Sequence, residues 1–346
     1  MKIFSFMSNR LFILAAVALF GASMTTANAE SPCPSWGSHN EFGECKVLVE
    51  MNASDGDVGF HFLVDGDNLI RTSLFNPHWR KIWSYYVRRE LRDQTLTESF
   101  NESAEPLCFD PVLDNDVEDE ETFENDEEDF RTLAEFVDLW NEGRYYFVAL
   151  DNEWAWSAGE THLTFNLGAA PAEVDFELEE EDGDVEGEIS WQMGDDFGMC
   201  SEFGLGIPDG VTLVTEIGSG DEDHETIVAW EIVLEPEFED DDPNSQKGLV
   251  YSTRVGADGL EEECEFDEDE GEDVCFYEQE IPDDYLESLP DNTLVKAEIG
   301  AITSTDNATF TEEGEWCIND TFPEGGIYDE EEEAFLNGCG EPVEDD

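Results

Sequence analysis

The sequence predicts an all-β protein made of two tandem β-sandwich domains, with one short helix in the first. Three observations carry this prediction. Apolar and polar residues alternate in short runs, as half-buried strands require. Gly, Asp, Asn and Pro gather between the runs, where turns need backbone freedom. Finally, 24 Phe, 9 Trp and 40% hydrophobic residues in 346 supply more core material than a solvated polyacid carries.

Taken in order, residues 1–29 combine Lys2 and Arg10, an apolar run over 11–20 and the small-residue site Ala27-Asn28-Ala29, the pattern of a secretory signal peptide. The run is too short to span a bilayer, no later stretch approaches 18 apolar residues, and no lipid-attachment cysteine follows it. The expected location is the periplasm or the cell exterior. The first sandwich is expected over 30–168. Val47, Val49 and Met51, then Val58, Phe60, Phe62 and Val64, mark inward faces, with Asp55-Gly56-Asp57 and Asp65-Gly66-Asp67 as turns. Further strands are expected over 70–75, 80–87, 145–150 and 161–167. Between them Phe130, Leu133, Ala134, Val137 and Trp140 follow helical spacing, Thr132 and Glu135 form a capping-box pattern, and Gly143 suits a stop.

Pro171 opens a second series of strands, expected over 173–178, 185–191, 226–234, 249–255, 274–281, 293–301 and 307–311. Trp191, Trp230, and Leu289-Pro290 followed by Thr293, Val295, Ala297, Ile299 and Ala301 together resemble a fibronectin type III domain over 169–313. The resemblance implies an immunoglobulin-like sandwich and no activity. It departs from the family in having Val295 where a tyrosine is usual, and in acidic insertions at 235–242 and 261–273. Residues 52–61 and 96–106 resemble secreted bacterial proteins that carry such a domain. The segment 314–346, with its acidic run at 329–333, is expected to be a largely unstructured acidic tail anchored by Cys339.

Eight cysteines, Cys33, Cys45, Cys108, Cys200, Cys264, Cys275, Cys317 and Cys339, lie beyond the leader, and no C-x-x-C occurs among them. An even count in an exported chain predicts four disulfides rather than a metal or redox site. Short loops favour Cys33 with Cys45, Cys264 with Cys275 and Cys317 with Cys339, leaving Cys108 with Cys200, although spacing alone leaves other pairings open.

Against 14 Lys and Arg stand 90 Asp and Glu, a formal net charge of −76. Nucleic acid and anionic membrane surfaces are therefore excluded as partners. The acid clusters at 114–129, 177–188 and 261–273 raise the question of calcium, which takes six to eight oxygen ligands. Asp114, Asp116 and Glu118 have the alternation, and Asp267, Asp269 and Asp273 approach it around Gly271. Neither set completes a calcium loop, so weak cation binding is expected there. The competing account is solubility in salt, where screening tolerates dense surface carboxylates.

One stretch departs from the acidity: Arg71, Arg80, Lys81, Arg88, Arg89 and Arg92, interleaved with Phe75, Trp79, Trp83, Tyr85 and Tyr86. Its expected role is to meet the protein's own carboxylates, within the chain or in a second copy; an extracellular protein or glycan is the other partner class. The five histidines show no metal-ligand spacing and read as ordinary surface or strand residues. Trp154 and Trp156, at alternate positions, read as a core face rather than a sugar platform. No G-x-S-x-G, P-loop or dinucleotide motif occurs. The predicted function is therefore that of a non-enzymatic binding or structural protein, with a polysaccharide-acting enzyme or carbohydrate-binding protein as the alternative.

Overall fold

The structure is a computed structural model that describes residues 33, 42–108, 131–181, 184–201, 206–218, 225–238, 248–260, 262–267, 272–318, 327–329, 334–336 and 339. The first part of the chain forms β1 (Glu44–Asn52), β2 (Asp57–Phe75), β3 (Lys81–Tyr86), α1 (Glu90–Gln94), β4 (Leu96–Glu102), α2 (Leu133–Leu139), β5 (Gly143–Asp151), β6 (Trp156–Leu163) and β7 (Asn166–Gly168). It continues through β8 (Ala172–Glu181), β9 (Asp184–Gln192), β10 (Thr212–Val214), β11 (Ile227–Glu237), β12 (Tyr251–Gly256), β13 (Glu262–Asp267) and β14 (Glu272–Ile281). After α3 (Asp283–Leu286) come β15 (Thr293–Thr303), β16 (Ala308–Ile318), β17 (Ile327–Asp329) and β18 (Ala334–Leu336). The protein is predominantly β, as the alternation predicts.

Period-2 burial sets the two faces of the strands. Val47, Val49 and Met51 of β1 face inward with Val58, Phe60, Phe62 and Val64 of β2, while Lys46, Glu50, Gly59 and His61 take the outer positions. The first core adds Tyr145, Phe147 and Ala149 from β5, Leu133 and Phe136 from α2, and Phe165 and Leu167. Helix α2 starts where Thr132 accepts from the Glu135 amide and Glu135 returns the bond, the predicted capping box. Just past its end Trp140 stacks on Phe60, with ring centroids 4.0 Å apart. A second core, built on Trp191, Trp230, Tyr277 and Leu286, lies between the sheet β13-β14-β9-β8 and strands β11 and β15.

Strands β12-β11-β15-β16-β1-β2-β5-β6 run side by side in one sheet, with β3 and β4 added to β2. The joint is the parallel pair β1–β16, with Glu50 opposite Ala308 and Asn52 opposite Phe310. The sheet thus continues past residues 168–169, where strand spacing places the domain boundary, and β16 runs to Ile318, beyond 313. Local alternation reports which face a residue takes and carries no information on the partner strand. Asn307 staples the joint. It is buried, accepts from the Val49 amide at 2.8 Å, and donates to the carbonyls of Thr164 at 3.0 Å and Asn166 at 2.9 Å.

Three disulfides take the pairing that short loops favour, Cys33–Cys45, Cys264–Cys275 and Cys317–Cys339, and the fourth joins the remaining Cys108 and Cys200. Cys264 and Cys275 stand directly opposite each other on β13 and β14. No helix among the described residues is long and apolar enough to cross a membrane.

Candidate functional site

The outer face of β3, β2, β5 and β6 carries an aromatic surface. One register row places Tyr86, Arg71, Leu150 and Trp156 side by side. Two residues along, the row is Ser84, Ser73, Val148 and Ala158; two further it is Phe75, Tyr146 and Glu160, with Lys81 beside Phe75. Small side chains therefore floor a trough between two aromatic ridges that lie roughly 13 Å apart, from the rise of four strand residues. On the far ridge Trp79 stacks on Tyr146, with centroids 4.1 Å apart and planes 13° from parallel. On the near ridge the Arg92 guanidinium lies 6.0 Å from the Tyr86 ring and 5.8 Å from the Trp154 ring, and donates to the Tyr86 hydroxyl at 2.9 Å.

Trp79, Trp154 and Trp156 are 55%, 63% and 53% exposed, so the expectation that Trp154 and Trp156 face the core is overturned. The buried position goes to Ser157, with Ala155 half-buried, because Trp154 belongs to the β5–β6 turn and Trp156 opens β6 on its outer side. That turn is tied by Asp151, whose Oδ1 accepts from the amides of Glu153 and Ala155, both at 2.8 Å. Trp154 sits in it at φ 68°, and Trp79, Arg89 and Thr95 nearby have φ of 59°, 53° and 66°. Bulky residues avoid this left-handed region, and each such placement costs on the order of 1–3 kcal/mol. Among the described residues, none of Arg71, Arg80, Lys81, Arg88, Arg89 and Arg92 forms a salt bridge.

A second, polar constellation lies on the outer face of β1 and β2. His61 is 1% exposed, with Nε2 at 2.7 Å from Glu105 Oε1. Its Nδ1 faces Glu50 Oε2 at 3.4 Å without a hydrogen bond. After β4 the chain is clamped by Ser103, whose hydroxyl accepts from the Phe60 amide and whose amide donates to the Phe60 carbonyl, and then by the Val58 amide donating to Pro106. This lays Glu105 over Gly59, where a Cβ would come within 2.7 Å of both Glu105 Oε1 and His61 Nε2. Burial opposes charge on the ring, but Glu105 and Glu50 outweigh it and push its pKa up to about 10. Asp57, on the same face of β2, is pushed up to about 7 by burial and by Glu105, Asp55 and Glu50. Farther along, burial with Glu50, Glu312 and Glu235 pushes Glu298 up to about 8.

This constellation was not legible in the sequence. Its members lie on separate segments, and a lone His in an alternating strand looks like any other. The only local signal is Gly59 two residues before His61 in a run of large side chains.

Of the residues predicted to hold calcium, Asp114, Asp116, Glu118 and Asp269 lie outside the described residues. The backbones of Asp267 and Asp273 lie on β13 and β14, opposite Glu272 and Phe266 respectively. No family model matches the chain, and no curated protein matches it at a significant level.

Proposed function

We propose that the protein is exported and acts as a non-enzymatic binding protein that holds a neutral extracellular glycan against its aromatic face. The observation that carries this reading is the exposure of three tryptophans, each by more than half, along one trough of an otherwise acidic molecule. An indole offers an apolar plane for the C–H face of a sugar, and the arginines and serines beside it offer donors for hydroxyls. A contiguous exposed aromatic surface is also the usual mark of a binding site. The net charge of −76 favours a neutral polymer over an anionic one. The four disulfides suit an oxidising compartment, in keeping with the signal-peptide pattern of residues 1–29. As for the non-enzymatic part, the carboxylate on this face, Glu160, lies 3.3 Å from Arg144 Nη1, whereas glycoside hydrolysis needs two carboxyl groups across the sugar.

The test is retention of the protein on a panel of immobilised neutral and acidic polysaccharides. At least one neutral polymer should retain it, and the double variant Trp154→Ala, Trp156→Ala should bind at least tenfold more weakly, about 1.4 kcal/mol, with an unchanged melting temperature. Equal retention of the two proteins would sink the reading.

The cations of this stretch, which form no salt bridge among the described residues, favour a second reading, in which an acidic segment of another copy docks there. Size-exclusion chromatography across a salt series separates the two, since ionic self-association grows as salt falls. A monomer at low salt leaves the glycan reading alone.

A further inference from the structure

The arrangement around His61 has a chemistry of its own, on β1, the first half of β2 and the segment after β4, away from the second half of β2 that carries the aromatic ridges. We propose that His61 and Glu50 form a binding site for a divalent first-row transition cation, zinc foremost, with Glu105 as the carboxylate that orients the imidazole.

Four observations support it. Two donors that each lie about 2.1 Å from a tetrahedral zinc ion stand about 3.4 Å apart, which is the separation of His61 Nδ1 and Glu50 Oε2. That Nδ1 belongs to a side chain almost wholly shielded from solvent and makes no hydrogen bond, its nearest carboxylate being Glu50 at ion-pair distance. The opposite ring nitrogen, Nε2, is held by Glu105 at 2.7 Å, so a cation that displaces the Nδ1 proton meets the carboxylate–histidine arrangement that orients an imidazole towards a metal. Last, Gly59 is bare where any side chain would press on both Glu105 and the ring, so the cradle depends on that residue.

The donor chemistry selects the ion. Calcium and magnesium take oxygen ligands, while an imidazole with carboxylates suits zinc and, more weakly, manganese. Glu50 is one-third exposed and gives the cation a route in from solvent. Asp57, on the same face of β2, places another carboxylate beside Glu50 and Glu105. The chain's excess of 76 negative charges concentrates cations near the surface without selecting among them.

The experiment is isothermal titration of zinc chloride into the full exported chain, stripped with chelator and held at high sodium chloride to suppress diffuse condensation. One saturable site is expected, weakened at least tenfold by His61→Gln and also by Gly59→Ala, and unchanged by Asp267→Asn with Asp269→Asn. Calcium under the same conditions should leave the His61-dependent site empty. Because a buried substitution can unfold the protein, nitrogen-15 spectra of the histidine side chains in the unmodified chain provide an independent readout. There zinc should move the Nδ1 resonance of one histidine with 1:1 saturation, and that resonance should be missing from His61→Gln. The proposal is overturned if zinc heat is equal in the unmodified and His61→Gln proteins, or if no histidine resonance responds with 1:1 saturation.

Discussion

Trp154 occupies a backbone conformation that glycine would take freely, at φ 68°, and it does so with 63% of its surface in solvent. A residue placed there for stability would be a poor choice, and on the proposed reading the strain serves binding. Trp154→Gly should therefore leave the fold as stable or stabilise it by about 1 kcal/mol, read from urea unfolding, while glycan retention falls at least tenfold. A variant that lost stability and kept retention would contradict this. Glu298 carries a cost of a different kind. Its pKa, raised from the ordinary 4.5 to about 8, means the folded state holds a proton that the unfolded chain has already released. Stability is therefore lost as pH rises through 4.5, and the loss is complete above about 8. Glu298→Gln should stabilise the protein at pH 8 by on the order of 1–2 kcal/mol and give no gain at pH 4. Parallel stability–pH curves for the two proteins would refute the assignment. These residue-scale features were the least legible in the sequence, because exposure of Trp154 and Trp156 and crowding around Glu298 depend on neighbours that are close in the sheet and distant in the chain.

At the scale of elements much more could be read. The alternation of Val47 to Met51 and Val58 to Val64 gives β1 and β2 with their inward faces, and Thr132 with Glu135 gives the start of α2, since these signals are local. Three cysteine pairs followed from short loops for the same reason, and Cys108 with Cys200 only by elimination. Strands β4 and β13 escaped notice because both are rich in acidic and polar residues, and β10 because it has only three residues, while the strand expected over 161–167 is divided between the end of β6 and β7. The parallel pairing of β1 with β16 escaped for want of any local signal. Asn307 is the element-scale device that holds this pairing, since its amide reaches β1 on one side and the β6–β7 connection on the other. Asn307→Ala leaves buried donors and acceptors without partners and should cost about 3 kcal/mol, with a melting temperature lower by several degrees in calorimetry. A loss below about 1 kcal/mol would mean that the strand ladder alone carries the joint.

Across the whole molecule, one long sheet joins two apolar cores and presents separate chemistries on its outer side. The aromatic trough lies over β3, β2, β5 and β6, and the His61 constellation over β1 and the first half of β2. On the proposed reading the surplus of carboxylates opposes association with polyanions and with other copies, so that an exposed aromatic face persists without indiscriminate association. The central claim is that this face is a binding surface. Its most direct test is fluorine NMR of the protein labelled with 5-fluorotryptophan, each resonance assigned by a single Trp→Phe variant, during titration with a soluble oligosaccharide of the retaining polymer. The account predicts saturable shifts at Trp79, Trp154 and Trp156 while the buried Trp191 and Trp230 stay in place. Unmoved resonances at the three exposed tryptophans, or equal movement at all five, would contradict it.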